Sequence, residues 1–158
     1  MRSIQQLLDI YGESHQNSTN KLIHWVCVPA IFFSLVGLLF SIPLTSSVEK
    51  TMWLNLGTPA LIAALVYYFL LSKPMTIGFV LWGLFCLWGN GVIFRLVDFS
   101  NSTLALVSFG IFAVAWVFQF VGHKIEGRKP SFLEDLQFLL IGPAWLMSFI
   151  LKKLKVKY

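Results

Sequence analysis

Four stretches of this chain, Leu22–Pro43, Trp53–Leu71, Met75–Phe94 and Thr103–Val121, contain no Asp, Glu, Lys or Arg. Each is close to the roughly 20 residues that a helix needs to cross a bilayer core. A backbone in lipid has no water to satisfy its N–H and C=O groups, so such stretches must be helical. Hydrophobic residues make up 57% of the 158 positions and charged residues 12%, against about 25% charged in a typical soluble domain. A soluble domain of this size leaves much of its area facing solvent and cannot hide so much apolar surface. The expected fold class is therefore all-α, a polytopic transmembrane helical bundle forming one domain over residues 1–158.

A fifth apolar segment, Leu136–Leu151, has 16 residues and contains Gly142-Pro143. At ~1.5 Å per residue it reaches about 24 Å, short of the ~30 Å core. Its expected course is re-entrant, kinked or interfacial. At the other end of the chain, Ile4, Leu7, Leu8 and Tyr11 recur at helical spacing, with Gln5, Gln6 and Asp9 between them. This pattern predicts an amphipathic helix in the membrane interface. It does not read as a signal peptide, because no apolar h-region leads it. Residues 13–20 form a polar connector, with Thr19 or Asn20 as the expected cap of the first span. Ser131 and Glu134 have the spacing of a capping box for the last helix.

Basic residues choose the topology. With the amino end inside and four spans, Arg2, Lys21, Lys73, Lys124, Arg128, Lys129, Lys152, Lys153, Lys155 and Lys157 lie on the cytoplasmic side, and only Lys50 and Arg95 lie outside. A fifth crossing would divide the twelve equally. The positive-inside rule thus favours four spans with both termini cytoplasmic, in a bacterial inner membrane or, in a eukaryote, the endoplasmic reticulum. The formal net charge of +5 is explained by this anchoring beside apolar runs and implies no nucleic-acid partner. Cys27 and Cys86 fall inside apolar runs, so no disulfide framework is expected. The doubled Leu-Trp-Gly at 81–83 and 87–89 reads as helix packing. Asn90, and Arg95 with Asp98, lie toward the opposite face, where polar pairing is the expected role.

The same topology gathers all three histidines at the cytoplasmic face. His24 opens the first span, His123 closes the fourth, and His15 lies in the connector. Neutral imidazole is the commonest protein ligand for transition metals, and two or three such ligands with open positions suit a catalytic iron or zinc. Gln119, His123 and Glu126 are spaced to share one helix face, as are Asn17, Asn20 and His24. Asn20 and Gln119 are candidate partners for imidazole N–H groups, and His123-x-x-Glu126 is a candidate ligand pair.

Blander roles compete at each position. An interfacial histidine is commonly an amphipathic side chain at the water boundary. The plain reading of Glu126 is a surface ion-pair partner of Arg128 or Lys129. Glu134 reads as a cap rather than a catalyst, Asp135 has no assigned role, and the terminal lysines read as topology and headgroup contacts.

Tyr11-x-x-x-His15 and Asn20-x-x-x-His24-x-x-x-x-Pro29 resemble the amino-terminal signature of the 2-hydroxy fatty acid dioxygenase family, which has fungal endoplasmic-reticulum members and bacterial relatives. Gln119-x-x-Gly122-His123-x-x-Glu126, followed by Pro130 and Gly142-Pro143, resembles its second signature. The resemblance covers nearly the whole chain and implies a membrane dioxygenase using Fe2+ and O2 to shorten a 2-hydroxy fatty acid by one carbon. It carries His15, His24 and His123 over as metal-site residues, with Glu126 as a catalytic carboxylate. Gln16 departs from the fungal pattern, which has a second histidine there.

A fatty acid places its tail in lipid and its head at the depth of these histidines. Lys21, Arg128 and Lys129 are the expected carboxylate-binding residues. The competing readings are a bis-histidine haem protein and a non-catalytic small transporter or scaffold. Membrane di-iron oxidases are excluded, since their pattern needs many more than three histidines.

Overall fold

The computed structural model describes residues 3–51, 53–129 and 137–158. Among them are six helices of at least ten residues: α1 (Ile4–Glu13), α2 (Ser18–Phe40), α4 (Gly57–Leu71), α5 (Lys73–Leu96), α6 (Asn101–Glu126) and α7 (Phe138–Lys153), with one further turn, α3 (Val48–Thr51). The described residues contain no strand, only an isolated bridge between Pro43 and Asn55. Helices α2, α5 and α6 are long and apolar enough to cross a membrane.

Contacts give the helix directions. Gly122 of α6 faces Asn20 of α2, and Gly37 of α2 faces Ser108 of α6, so the two run antiparallel. Tyr68 of α4 stacks on Phe79 of α5 at 3.6 Å, and Gly83 lies against Leu61, which makes that pair antiparallel too. The glycines of the doubled Leu-Trp-Gly do serve packing. A Cβ on Gly83 would sit 3.6 Å from Leu61, and one on Gly89 would sit 2.7 Å from the Phe33 ring.

The second expected span is shorter than its apolar run. Helix α4 starts at Gly57 rather than Trp53 and has 15 residues, about 22 Å at the usual rise. Just before it, the Asn55 side chain accepts from Thr58 N at 3.2 Å and donates to Thr51 O at 2.8 Å. The backbone before it pairs back across the connection, with Leu56 N donating to Ile42 O and Leu44 N to Leu54 O.

The cap of α2 also differs from expectation. Asn17 fills that position, its Oδ1 accepting from Thr19 N at 2.9 Å and Asn20 N at 3.3 Å. Asn20 is thereby left inside the helix with its side chain available for other contacts. The capping box expected at Ser131 and Glu134, and Pro130 and Asp135 beside it, lie outside the described residues.

Helix α1 has the predicted amphipathic pattern and a full capping box between Ser3 and Gln6. Its apolar side, however, is covered by protein. Leu7, Leu8 and Tyr11 are buried in one cluster with Phe138, Ile141, Ala144 and Trp145 of α7. Pro143 does not break α7, which runs from Phe138 to Lys153, and the helix is tied to α4 by Tyr68 Oη donating to Leu140 O at 2.8 Å. The fifth apolar segment is thus a short helix packed under the amino-terminal one.

At the other end of the bundle Asn90 is fully buried. It donates to Phe33 O at 3.2 Å and Cys86 O at 2.9 Å, which bears out a pairing role. Arg95 Nε donates to Gly91 O within its own helix. Cys27 and Cys86 are free thiols in the interior.

Candidate metal centre

The three histidines expected at one face meet in space. His24 comes from the first turns of α2, His123 from the last turn of α6, and His15 from the turn between α1 and α2. Their ring centroids are 4.3 Å apart for His15–His24, 5.0 Å for His15–His123 and 4.9 Å for His24–His123. The rings stand nearly perpendicular to one another, at 81°, 75° and 85°. One potential ligand atom from each lies within 4.8 Å of the others. Far from being boundary side chains, they are interior: His15 and His24 are 0% exposed and His123 is 5%.

Hydrogen bonds fix the proton on two of these rings. His15 Nδ1–H donates to Tyr11 O at 2.6 Å, and His24 Nδ1–H donates to Asn20 O at 2.9 Å. A carbonyl oxygen can only accept, so in both rings Nδ1 carries the hydrogen and Nε2 keeps its lone pair. Both Nε2 atoms are buried with no hydrogen-bond partner, as is Nδ1 of His123. Buried nitrogens left this way are disfavoured unless something accepts their electron pairs. Two inward lone pairs and the unpartnered Nδ1 of His123 fit a divalent transition metal, which the three rings would hold while leaving coordination positions open.

Electrostatics keeps His15 neutral. Burial, then the neighbouring His24, pushes its pKa down to about 3, so protons do not compete with a metal at pH 7. Tyr11 stacks on the His15 ring at 4.2 Å and 12°, and Trp145 of α7 packs at 5.2 Å. Neither aromatic was singled out as a site residue from sequence. Tyr11 has a signal, four residues before His15 on the buried face of its helix, whereas nothing local marks Trp145.

Glu126 ends α6 as the sequence pattern requires, on the same helix as His123 and Gln119. Its carboxylate faces the connector. Oε1 accepts from Gln16 N at 2.8 Å, while Oε2 accepts from Asn17 N at 2.9 Å and from Asn20 Nδ2 at 3.1 Å. Asn20 also donates to Ser14 O at 3.2 Å and offers its carbonyl to His24. Both residues therefore fasten the turn that carries His15.

Gln16, at the position of the missing fungal histidine, turns its side chain back to Gly12 O at 2.6 Å. Gln119 is buried beside His123 in a groove. Arg128 and Lys129 are exposed just past Gly127, whose left-handed φ of 73° ends the helix. Lys21 is half-buried at the start of α2.

Glu126→Ala removes the acceptor of two backbone amides. Hydrogen bonds to a charged group contribute about 1.5–3 kcal/mol each when buried, and the partial exposure of this carboxylate lowers that figure. Hydrogen exchange at Gln16 and Asn17 should therefore accelerate by roughly tenfold, equivalent to ~1.4 kcal/mol, while the middle of α6 stays protected. Unchanged exchange at these two amides would contradict the clamp.

Comparison with known proteins gives the family of the chain. The family model described as 2-hydroxy-palmitic acid dioxygenase Mpo1-like matches residues 1–154, a span containing all three histidines. The 2-hydroxy-palmitic acid dioxygenase MPO1 of Saccharomyces cerevisiae is 31% identical over 153 residues, covering 96% of this chain and 81% of the yeast protein. No solved structure matches. On the strength of the family match and the yeast relative, this chain belongs to the Mpo1-like 2-hydroxy-palmitic acid dioxygenase family.

Proposed function

We propose that the protein is a membrane-embedded Fe2+-dependent dioxygenase that shortens 2-hydroxy fatty acids by one carbon. The observation that carries this reading is the set of three buried imidazoles with unpartnered nitrogens turned into one cluster. Family membership supplies the substrate class. Overall, the 2-hydroxy acid and O2 give the acid one carbon shorter, CO2 and water, which balances in atoms. Bound Fe2+ supplies the redox chemistry between O2 and the acid.

The protein's own residues do the rest. His15, His24 and His123 hold the metal as neutral ligands. The carbonyls of Tyr11 and Asn20 fix the tautomer and tilt of two rings, a role whose loss typically lowers affinity or activity by about 10–100-fold. Glu126 is assigned to holding the His15 turn in register with His24 rather than to direct ligation, since both of its oxygens already accept from that turn. Gln119 lies beside His123 where a polar head would enter. Lys21, Arg128 and Lys129 are assigned to drawing the carboxylate to this end. A haem reading lacks room, because centroids 4.3–5.0 Å apart leave no gap for a porphyrin between two rings.

The test is an anaerobic assay of the purified protein loaded with Fe2+, given a 2-hydroxy fatty acid and then O2. The acid one carbon shorter should appear, and His15→Ala, His24→Ala and His123→Ala should each lose iron and turnover while still inserting in the membrane. A single variant with full iron occupancy would leave the ligand set, and an unchanged acid would end the reading.

Both termini are assigned to the cytoplasm on the strength of the basic residues. Cysteines introduced near Lys50 should label from outside, and those near Lys73 and Tyr158 only after permeabilisation. External labelling at position 158 would overturn that topology.

A further inference from the structure

Two clefts open on either side of a wall made by Val28, Phe32 and Pro143. The larger, about 710 Å³ between α2, α5 and α7, is lined by residues such as Trp25, Ile77 and Leu81 and reaches none of the histidines. The smaller, about 220 Å³ between α2, α6 and α7, includes His123 and Gln119 in its lining. Along α6 its residues are Phe112, Trp116, Gln119 and His123; along α2 they include Ile31 and Leu35. These spacings place each set on one helix face.

The polarity of this groove is one-sided. Its metal-site end has an imidazole and an amide, whereas Ile31, Leu35, Phe112 and Trp116 are apolar or aromatic. From His123 to Phe112 the helix rises about 16 Å, roughly half the ~30 Å hydrocarbon core. A polar end at the metal and an apolar course toward the membrane centre match a molecule with one polar head and a long tail. The larger cleft lacks such a head site.

We infer that the α2–α6–α7 groove is the acyl-chain site, with the substrate head at His123 and Gln119, and with Leu35 and Phe112 setting the preferred chain length. This rests on the reading of the protein as a 2-hydroxy fatty acid dioxygenase and adds which face of the bundle takes the tail. Because Phe112 sits about 16 Å along the helix from the metal ligand, it meets carbons far from the reacting ones. Its truncation should change which acids are preferred without touching the metal.

The test uses the full-length Fe2+-loaded protein and a 16-carbon 2-hydroxy acid carrying a diazirine near its methyl end. Photolysis without O2, followed by peptide mass spectrometry, should label residues 31–35 and 112–116. Labels on residues 77–82 of α5 would overturn the groove assignment. Labelling needs no turnover, so groove and reaction are judged separately. An acid that labels α2 and α6 but is never shortened sinks the reaction and keeps the groove. One that is shortened while labelling α5 does the reverse.

Phe112→Ala gives a second readout. Relative turnover of a 20-carbon over a 16-carbon acid should rise roughly tenfold, within the range that one or a few methylenes give in an apolar pocket. Leu81→Trp, in the larger cleft, should leave that ratio and the iron content unchanged. A changed ratio in Leu81→Trp with none in Phe112→Ala would assign the tail to the other cleft. The wild-type labelling pattern decides the matter even if a variant fails to fold.

Discussion

Helices in lipid gain little from burying apolar side chains against each other, so close association depends on small residues and polar contacts. The antiparallel pair α2 and α6 has both at each end of its contact. At one end the missing side chain of Gly37 makes room for Asn90 and Ser108, and at the other that of Gly122 admits Asn20. A Cβ at either glycine would collide with these polar side chains. With both ends fixed, the register of the pair is fixed too, and His24 and His123 arrive at the same depth. The remaining histidine is brought by a turn whose amides close on the carboxylate at the end of α6.

The cluster is then made dry from two sides. Tyr11 and Trp145 cover the His15 ring, and α7 lies beneath α1 with its own apolar residues buried. Dryness has a direct electrical consequence. Charging an imidazole is disfavoured by desolvation and by its like neighbours, so the His15 pKa falls to about 3. Two of the rings direct Nδ1–H to a carbonyl four residues earlier. One backbone device, used in a turn and again in a helix, thus turns two lone pairs inward.

Much of this was legible in the sequence, and the legible parts rest on strong periodic or compositional forces. Uncharged runs marked α2, α5 and α6, and the distribution of Lys and Arg led to the gathering of His15, His24 and His123. The i, i+4, i+7 spacing placed Gln119, His123 and Glu126 on one continuing helix. What escaped depends on contacts without local signal. The apolar run before Gly57 gave no warning that the helix would begin only there, after Asn55 ties Thr51 O to Thr58 N. Asn17 displaced the expected caps because its side chain reaches the amides of both residues two and three positions on. The partner of Glu126 was unreadable, since its acceptors face a turn about 110 residues earlier in the chain. The amphipathic face of α1 is equally compatible with lipid and with protein, and only the fold shows that α7 covers it.

Three buried imidazoles at the end of the α2–α6 pair are close enough together to hold one metal ion. Iron K-edge X-ray absorption on the anaerobically purified protein can read this site, because imidazole rings give a distinctive outer-shell scattering that counts them. One iron per chain, with a nitrogen and oxygen shell and outer-shell scattering from three imidazoles, is the expected result. A sulfur shell, a porphyrin signature or iron without imidazole scattering would contradict it.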